Sequence, residues 1–204
     1  MIIGVDEAGK GPVLGSMFVV GIRSKGFEYE IPDSKKLSDS RRENIYENLI
    51  GSCEFFVVEV SSDEIDKMNM NDLVINAHSK IISNLYEDGD SVFCDACLGD
   101  ESKYKEKLLS DLDVDKDDII CENKADENYD IVGAASVIAK QRREMYISEI
   151  DKKFDMSVGS GYPSDSTTLK FLEWFYNENN EFPDFARKSW NTCDKVRQSS
   201  LDNF

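Results

Sequence analysis

Apolar positions along the chain recur with a period of two in some stretches and about 3.6 in others, and the changes of period mark the elements. Ile2-Ile3-Gly4-Val5 opens as a buried strand, and Met17-Phe18-Val19-Val20-Gly21-Ile22 follows a glycine-rich turn, which predicts a β-hairpin. Ser38 caps a helix running to Gly51 with Ile45, Tyr46 and Leu49 on its buried face. Glu54 to Ser61 reads as a third strand, after which Ser62 or Asp63 caps a short helical turn. From Asn71 to Asp88 the spacing of Leu73, Ile75, Ala77, Ile81, Ile82 and Leu85 predicts a longer helix closed by Gly89. Ser91 to Cys94 is a short buried strand ending at Asp95; Lys103 to Leu112 is helical, and Asp117 to Glu122 is a further strand. The longest helical pattern runs from Ile131 to Phe154, with small residues early in it that imply close packing on a sheet. Beyond the loop Gly159-Ser160-Gly161-Tyr162-Pro163, Asp165 or Ser166 caps a helix through Phe171, Leu172, Phe175 and Tyr176, and Arg187-Lys188-Ser189-Trp190 begins a final one. Strands first, then strands alternating with helices, predict a mixed α/β sheet.

Two acids interrupt this pattern. Asp6 and Glu7 follow the first apolar run directly, yet neighbours on a strand face opposite ways. Either the strand stops at Val5 and the acids begin a solvated turn, or the strand carries carboxylates where a core strand carries none. His78, the only histidine, lies inside a helical pattern with no nucleophile motif beside it and reads as structural. Cys94 and Cys97 have CxxC spacing, but a zinc site needs about four ligands and no second pair exists, so the spacing reads as incidental.

Composition narrows the class. A chain of 204 residues with 40% hydrophobic residues builds a packed core, one large domain or a domain with a small appendage. No apolar run approaches the ~20 residues of a membrane span, and no basic segment opens the chain, so a cytoplasmic protein is expected. Its five cysteines, Cys53, Cys94, Cys97, Cys121 and Cys193, are then expected to be reduced. The net charge of −17 argues against nucleic acid as a first guess, since such proteins usually carry a basic stripe. The positive charges are clustered, however: Lys35, Lys36, Arg41 and Arg42; Lys140, Arg142 and Arg143; Arg187 and Lys188. A salt-sensitive contact to phosphate is the corresponding expectation.

Six stretches in order complete the picture: Asp6-Glu7-Ala8-Gly9-Lys10-Gly11-Pro12-Val13-Leu14-Gly15; Asp33-Ser34-Lys35-Lys36-Leu37; Phe93-Cys94-Asp95-Ala96; Lys124-Ala125-Asp126; Ala134-Ala135-Ser136-Val137-Ile138-Ala139-Lys140 with Arg143; and Gly159-Ser160-Gly161-Tyr162-Pro163-Ser164-Asp165. Together they resemble type 2 ribonuclease H, most closely its archaeal ribonuclease HII branch. The resemblance covers nearly the whole chain. It implies a ribonuclease H-like mixed sheet flanked by helices, with a helical C-terminal part: residues 1–155 catalytic, 156–196 helical and packed on it, 197–204 a tail. It also implies that Asp6, Glu7, Asp95 and Asp126 are the catalytic, metal-binding set.

Acids at separate strand ends can converge, and a hard divalent cation offsets their repulsion. The expected cofactors are Mg²⁺ or Mn²⁺, two ions in the substrate complex, which suits in-line phosphodiester hydrolysis without a histidine base. Gly9 and Gly11 leave their backbone open to a 2′-hydroxyl and its phosphates. Where the family usually has arginine between these glycines the chain has Lys10, and the guanidinium fork is lost. Asn123 also departs from a position that is often basic. By resemblance Tyr162 meets the sugar at the RNA–DNA junction, Lys35 and Lys36 lie near nucleic acid, and Ser136, Lys140 and Arg143 are phosphate contacts or supports. The ending Gln198-Ser199-Ser200-Leu201-Asp202-Asn203-Phe204 resembles a sliding-clamp-binding peptide, with Gln198, Leu201 and Phe204 as anchors and one terminal aromatic missing. The expectation is a monomeric, metal-dependent endoribonuclease acting on RNA–DNA hybrids and on ribonucleotides embedded in DNA, leaving 3′-hydroxyl and 5′-phosphate ends. The rivals are a non-catalytic module binding hybrid and clamp, and a metal-dependent phosphatase.

Overall fold

The apolar opening forms β1 (Ile2–Ala8), the central strand of a five-stranded sheet ordered β3-β2-β1-β4-β5. The computed structural model describes residues 1–27, 31 and 38–201. β2 (Met17–Ser24) runs back antiparallel to β1, from Ala8↔Phe18 to Ile2↔Ser24, which is the hairpin expected from the two apolar runs. β3 (Glu54–Val60) lies beside β2. On the other side β4 (Ser91–Asp95) runs parallel to β1, and β5 (Ile119–Glu122) parallel to β4. The helices among the described residues are α1 (Asp39–Ser52), α2 (Ser62–Lys67), α3 (Met70–Leu85), α4 (Glu101–Leu109), α5 (Ala125–Asn128), α6 (Asp130–Asp151), α7 (Ser166–Asn179) and α8 (Asn191–Leu201).

Some helix starts follow capping side chains, as at Ser61, Asp100 and Asp165. Ser38 and Asp165 precede α1 and α7 as expected. For α2 the cap is Ser61, one residue early, because Ser61 and Glu64 satisfy each other's backbone N–H groups. Arg187–Trp190 does not open the last helix: the Arg187 N–H bonds the Val13 carbonyl at 2.9 Å, and α8 starts at Asn191.

The chain divides into two units that interleave along the sequence. The first comprises Met1–Ala8, Phe18–Glu59 and Met70–Arg142; the second comprises Gly9–Met17, Val60–Asn69 and the chain from Arg143. In the first unit helices cover both faces of the sheet. A Cβ on Gly4 would run into the α6 backbone at Ile131 and lie 2.7 Å from Val132 N, so this helix sits directly on β1. On the opposite face Gly21 makes room for Ile81 and Leu85 of α3. The small residues Ala134, Ala135 and Ala139 of α6 are buried with Val20 and Ile22, which explains their early clustering. In the second unit Val13 and Leu14 pack with Ile147, Ile150, Phe171 and Leu172, and Leu14 bridges Ala186. Among the described residues no helix is long and apolar enough to cross a membrane.

The close approach at Gly4 has a measurable consequence. Gly4→Ala is expected to destabilise by about 1–3 kcal/mol through overpacking against backbone that cannot yield. Gly51→Ala, where a Cβ meets nothing within 4 Å, is expected to stabilise by about 0.5 kcal/mol. Urea unfolding of both variants checks the contrast.

Candidate active site

Asp6 and Glu7 lie inside β1, so the strand does not stop at Val5. Both are nearly buried, at 5% and 9% exposure. They point to opposite faces, as strand geometry demands. Asp6 lies on the α6 side with Gly4, and its carboxylate is hydrogen-bonded by Ser136 of that helix. Glu7 lies on the α3 side, with its Oε2 3.3 Å from Nε2 of His78. The β1–β4 register ends at Val5↔Cys94; beyond it the Glu7 N–H donates to Asp6 Oδ1 at 2.7 Å. That bond folds the Asp6 carboxylate back along the strand towards its neighbour.

Asp95, the last residue of β4, joins them. Asp6, Glu7 and Asp95 each offer a carboxylate oxygen, and these oxygens lie within 4.8 Å of one another. The Ala125 N–H donates to Asp95 Oδ1 at 2.8 Å. Lys124 delivers that N–H by turning the chain in the left-handed region, at φ 61° and ψ 37°. Asp126 follows in the first turn of α5, half-buried, with its carbonyl close against Gly133 of α6. Its carboxylate is not one of the three within 4.8 Å, although it follows directly on Ala125, the hydrogen-bond donor to Asp95.

Three acids this close strain their own charge. Burial, then Glu7 and Asp95, push the Asp6 carboxyl well above its usual range, against the lowering effect of the bonds from Ser136 and the Glu7 N–H. A cluster of oxygen donors with excess negative charge fits a hard divalent cation such as Mg²⁺ or Mn²⁺.

The remaining candidates divide between the units. In the first, Ser136 is buried beside Asp6, and Lys140 is half-buried one turn further along α6. In the second, Gly9 holds φ +103°, and a Cβ there would meet Ser16 O at 3.0 Å, so only glycine fits. A Cβ on Gly11 would lie 3.5 Å from the Tyr162 ring. Tyr162 is 40% exposed, and the Arg143 guanidinium stacks on its ring at 4.6 Å while bonding the Ser160 carbonyl. Burial lowers the Arg143 pKa. The loop between is braced by Asp165, which accepts from Ser160 N at 2.6 Å and Ser160 Oγ at 2.7 Å, and by Thr168 Oγ1, which accepts from Gly161 N at 2.9 Å. Lys35 and Lys36 lie outside the described residues, as does Phe204; Gln198 is exposed on α8, and Leu201 is that helix's last residue.

Two groups were not legible as site residues. His78 is fully buried, as its helical face implies, but it touches Glu7 and its Nδ1 lies 2.5 Å from the Tyr104 hydroxyl. It lies three residues before Ile81, whose side chain packs at Gly21 of β2. Arg187, read from the sequence as part of a basic cluster with Lys188, is fully buried.

Comparison with known proteins gives the family and the fold. A family model described as Ribonuclease HII matches residues 3–193. The ribonuclease HII of Natronomonas pharaonis is 39% identical over 211 residues, covering 100% of this chain and 99% of that one. Ribonuclease H2 from Pyrococcus horikoshii OT3 matches with a TM-score of 0.88 at 32% identity, covering 99% of each chain. The PCNA:RNase HII complex from Archaeoglobus fulgidus contains a chain that matches at 0.86 and 32% identity, with 100% of each covered.

A carboxyl whose folded pKa is raised binds its proton more tightly in the fold than in the unfolded chain. Asp6 therefore opposes folding increasingly as pH rises above the ordinary carboxylate value. In chelator at neutral pH, Asp6→Asn is expected to raise Tm by about 2–4 °C, equivalent to about 1 kcal/mol, and the gain should vanish near pH 3. Thermal unfolding at the two pH values measures it.

Proposed function

This chain belongs to the ribonuclease HII family and is a type 2 ribonuclease H, and from that premise we propose how its residues act on RNA paired with DNA. The single observation that carries the reading is the convergence of Asp6, Glu7 and Asp95 to within 4.8 Å. These three, with Asp126, would hold one or two divalent cations. Bound Mg²⁺ or Mn²⁺ would supply Lewis-acid chemistry at the scissile phosphate. The chain's own part is to hold the donors ready. Ser136 and the Glu7 N–H fix Asp6, His78 fixes Glu7, and the Ala125 N–H fixes Asp95. Donors held in this way lose little freedom when a ligand arrives.

Substrate selection belongs to the glycine loop and Tyr162. The Gly9–Gly11 backbone bonds the 2′-hydroxyl and adjacent phosphates, and Tyr162 packs on the sugar at the RNA–DNA junction. Lys10, Lys35, Lys36 and Lys140 meet phosphates, while Arg143 holds the Tyr162 ring through its stacking contact. With these contacts the enzyme cuts hybrids and single ribonucleotides in duplex DNA endonucleolytically, leaving 3′-hydroxyl and 5′-phosphate ends. Support for a clamp partner comes from the Archaeoglobus fulgidus ribonuclease HII, whose structure is of a complex with PCNA. Gln198, Leu201 and Phe204 would make that contact. A monomer in the cytoplasm completes the reading.

Asp95→Asn tests it. The amide keeps an oxygen to accept from Ala125 N–H, so the fold should persist. Cleavage of a DNA duplex holding one ribonucleotide, in Mg²⁺ or Mn²⁺, should fall by about 10³-fold or more. Full turnover by the variant would contradict the assignment. Wild-type protein that binds hybrid without cutting it would support a binding module, and one that releases phosphate from small esters would support a phosphatase.

A further inference from the structure

Arg187 has an arrangement that its surroundings alone do not demand. Its side chain is the largest among those fully buried in the described residues. Its Nε and Nη2 donate to the Gly15 carbonyl at 3.1 and 2.9 Å, Nη1 to the Lys10 carbonyl at 2.9 Å, and Nη2 to the Gly9 carbonyl at 2.5 Å. Trp190 stacks beneath the guanidinium at 5.3 Å. Every one of these acceptors is a backbone carbonyl, so the bonds spread the positive charge without cancelling it. Burial, and then Arg143, lower its pKa to about 10, which leaves it charged at neutral pH.

The consequence follows from peptide geometry. Each peptide unit is planar and trans, so its C=O and N–H point in opposite directions. The Gly9 carbonyl shares a unit with the Lys10 N–H, and the Lys10 carbonyl with the Gly11 N–H. Drawing those two carbonyls onto one guanidinium turns the two following N–H groups away from it, side by side. Gly9 permits this because it takes φ +103°. Successive N–H groups presented together over a positive charge attract an oxygen carrying negative or partial negative charge.

We propose that Arg187 is a positioning residue for substrate selection: by gathering the Gly9 and Lys10 carbonyls it presents the Lys10 and Gly11 amides to an oxygen of the nucleic-acid backbone, phosphate or 2′-hydroxyl. This rests on the reading that the glycine loop meets substrate. Lysine at this position keeps the charge but has no fork to hold several carbonyls at fixed angles.

The test compares wild type with Arg187→Lys, both shown folded by circular dichroism, on a duplex with one ribonucleotide, with binding to an all-DNA duplex measured alongside. The variant's KM is expected to rise about tenfold or more, with kcat within about threefold of wild type. Weakened binding to both duplexes assigns the amides to phosphate; weakening confined to the ribonucleotide duplex assigns them to the 2′-hydroxyl. An unchanged KM in a folded variant overturns the proposal, as does a loss confined to kcat. A second measurement is independent of whether the variant folds. In ¹⁵N-labelled Asp95→Asn protein, the Lys10 and Gly11 amide resonances should shift on adding the ribonucleotide duplex, and more than those of Val13 and Gly15; unmoved Lys10 and Gly11 amides overturn it. Failure of the wild-type protein to cut any ribonucleotide duplex would instead refute the activity proposed above.

Discussion

Mutual repulsion among Asp6, Glu7 and Asp95 is the constraint around which the first unit is built. Carboxylates do not gather in a sheet interior spontaneously, because burial and like charge both oppose it. The fold enforces the gathering through its strands. β1 is central, its pairing with β4 runs out at Val5↔Cys94, and the acids follow at that point with Asp95 opposite Glu122 at the end of β4. Helices on both faces supply the polar partners: Ser136 for one acid, His78 for the other. The close contacts at Gly4 and Gly21 seat those helices near enough to reach.

The same logic runs backwards in the second unit. There the buried charge is positive and its partners are neutral carbonyls. Arg187 organises the Gly9–Gly15 segment from below, and Arg143 holds Ser160 and Tyr162. A protein with a net charge of −17 thus keeps some of its arginines inside, where they shape backbone as well as carry charge. This explains how an acidic chain can belong to a family that acts on nucleic acid: the relevant field is local.

Much of this was legible in the sequence because it depends on period and caps. The hairpin, the end of β4 at Asp95 and the helix starts after Ser38 and Asp165 follow from local rules, whereas spacing alone left open whether β1 carries Asp6 and Glu7 or stops at Val5. What depended on long-range contact was not legible. His78 touches Glu7 across 71 positions, and Arg187 reaches Gly9 across 178; no local signal encodes either pairing. The CxxC spacing reads as incidental, and the long-range partners of its two cysteines agree with that. Cys94 lies opposite Cys121 in the β4–β5 register, Cys97 Sγ is 3.9 Å from the Asn71 carbonyl, and none of the five cysteines is in a disulfide. Asp126 shows the limit of a motif: resemblance names the residue, yet the distance between its carboxylate and the other three acids is a tertiary fact.

The most direct measurement of the central claim is anomalous diffraction from crystals of the wild-type protein soaked in Mn²⁺. A manganese peak within coordination distance of Asp6, Glu7 and Asp95 is the result this account requires. A peak elsewhere on the acidic surface, with none among these three carboxylates, would contradict it.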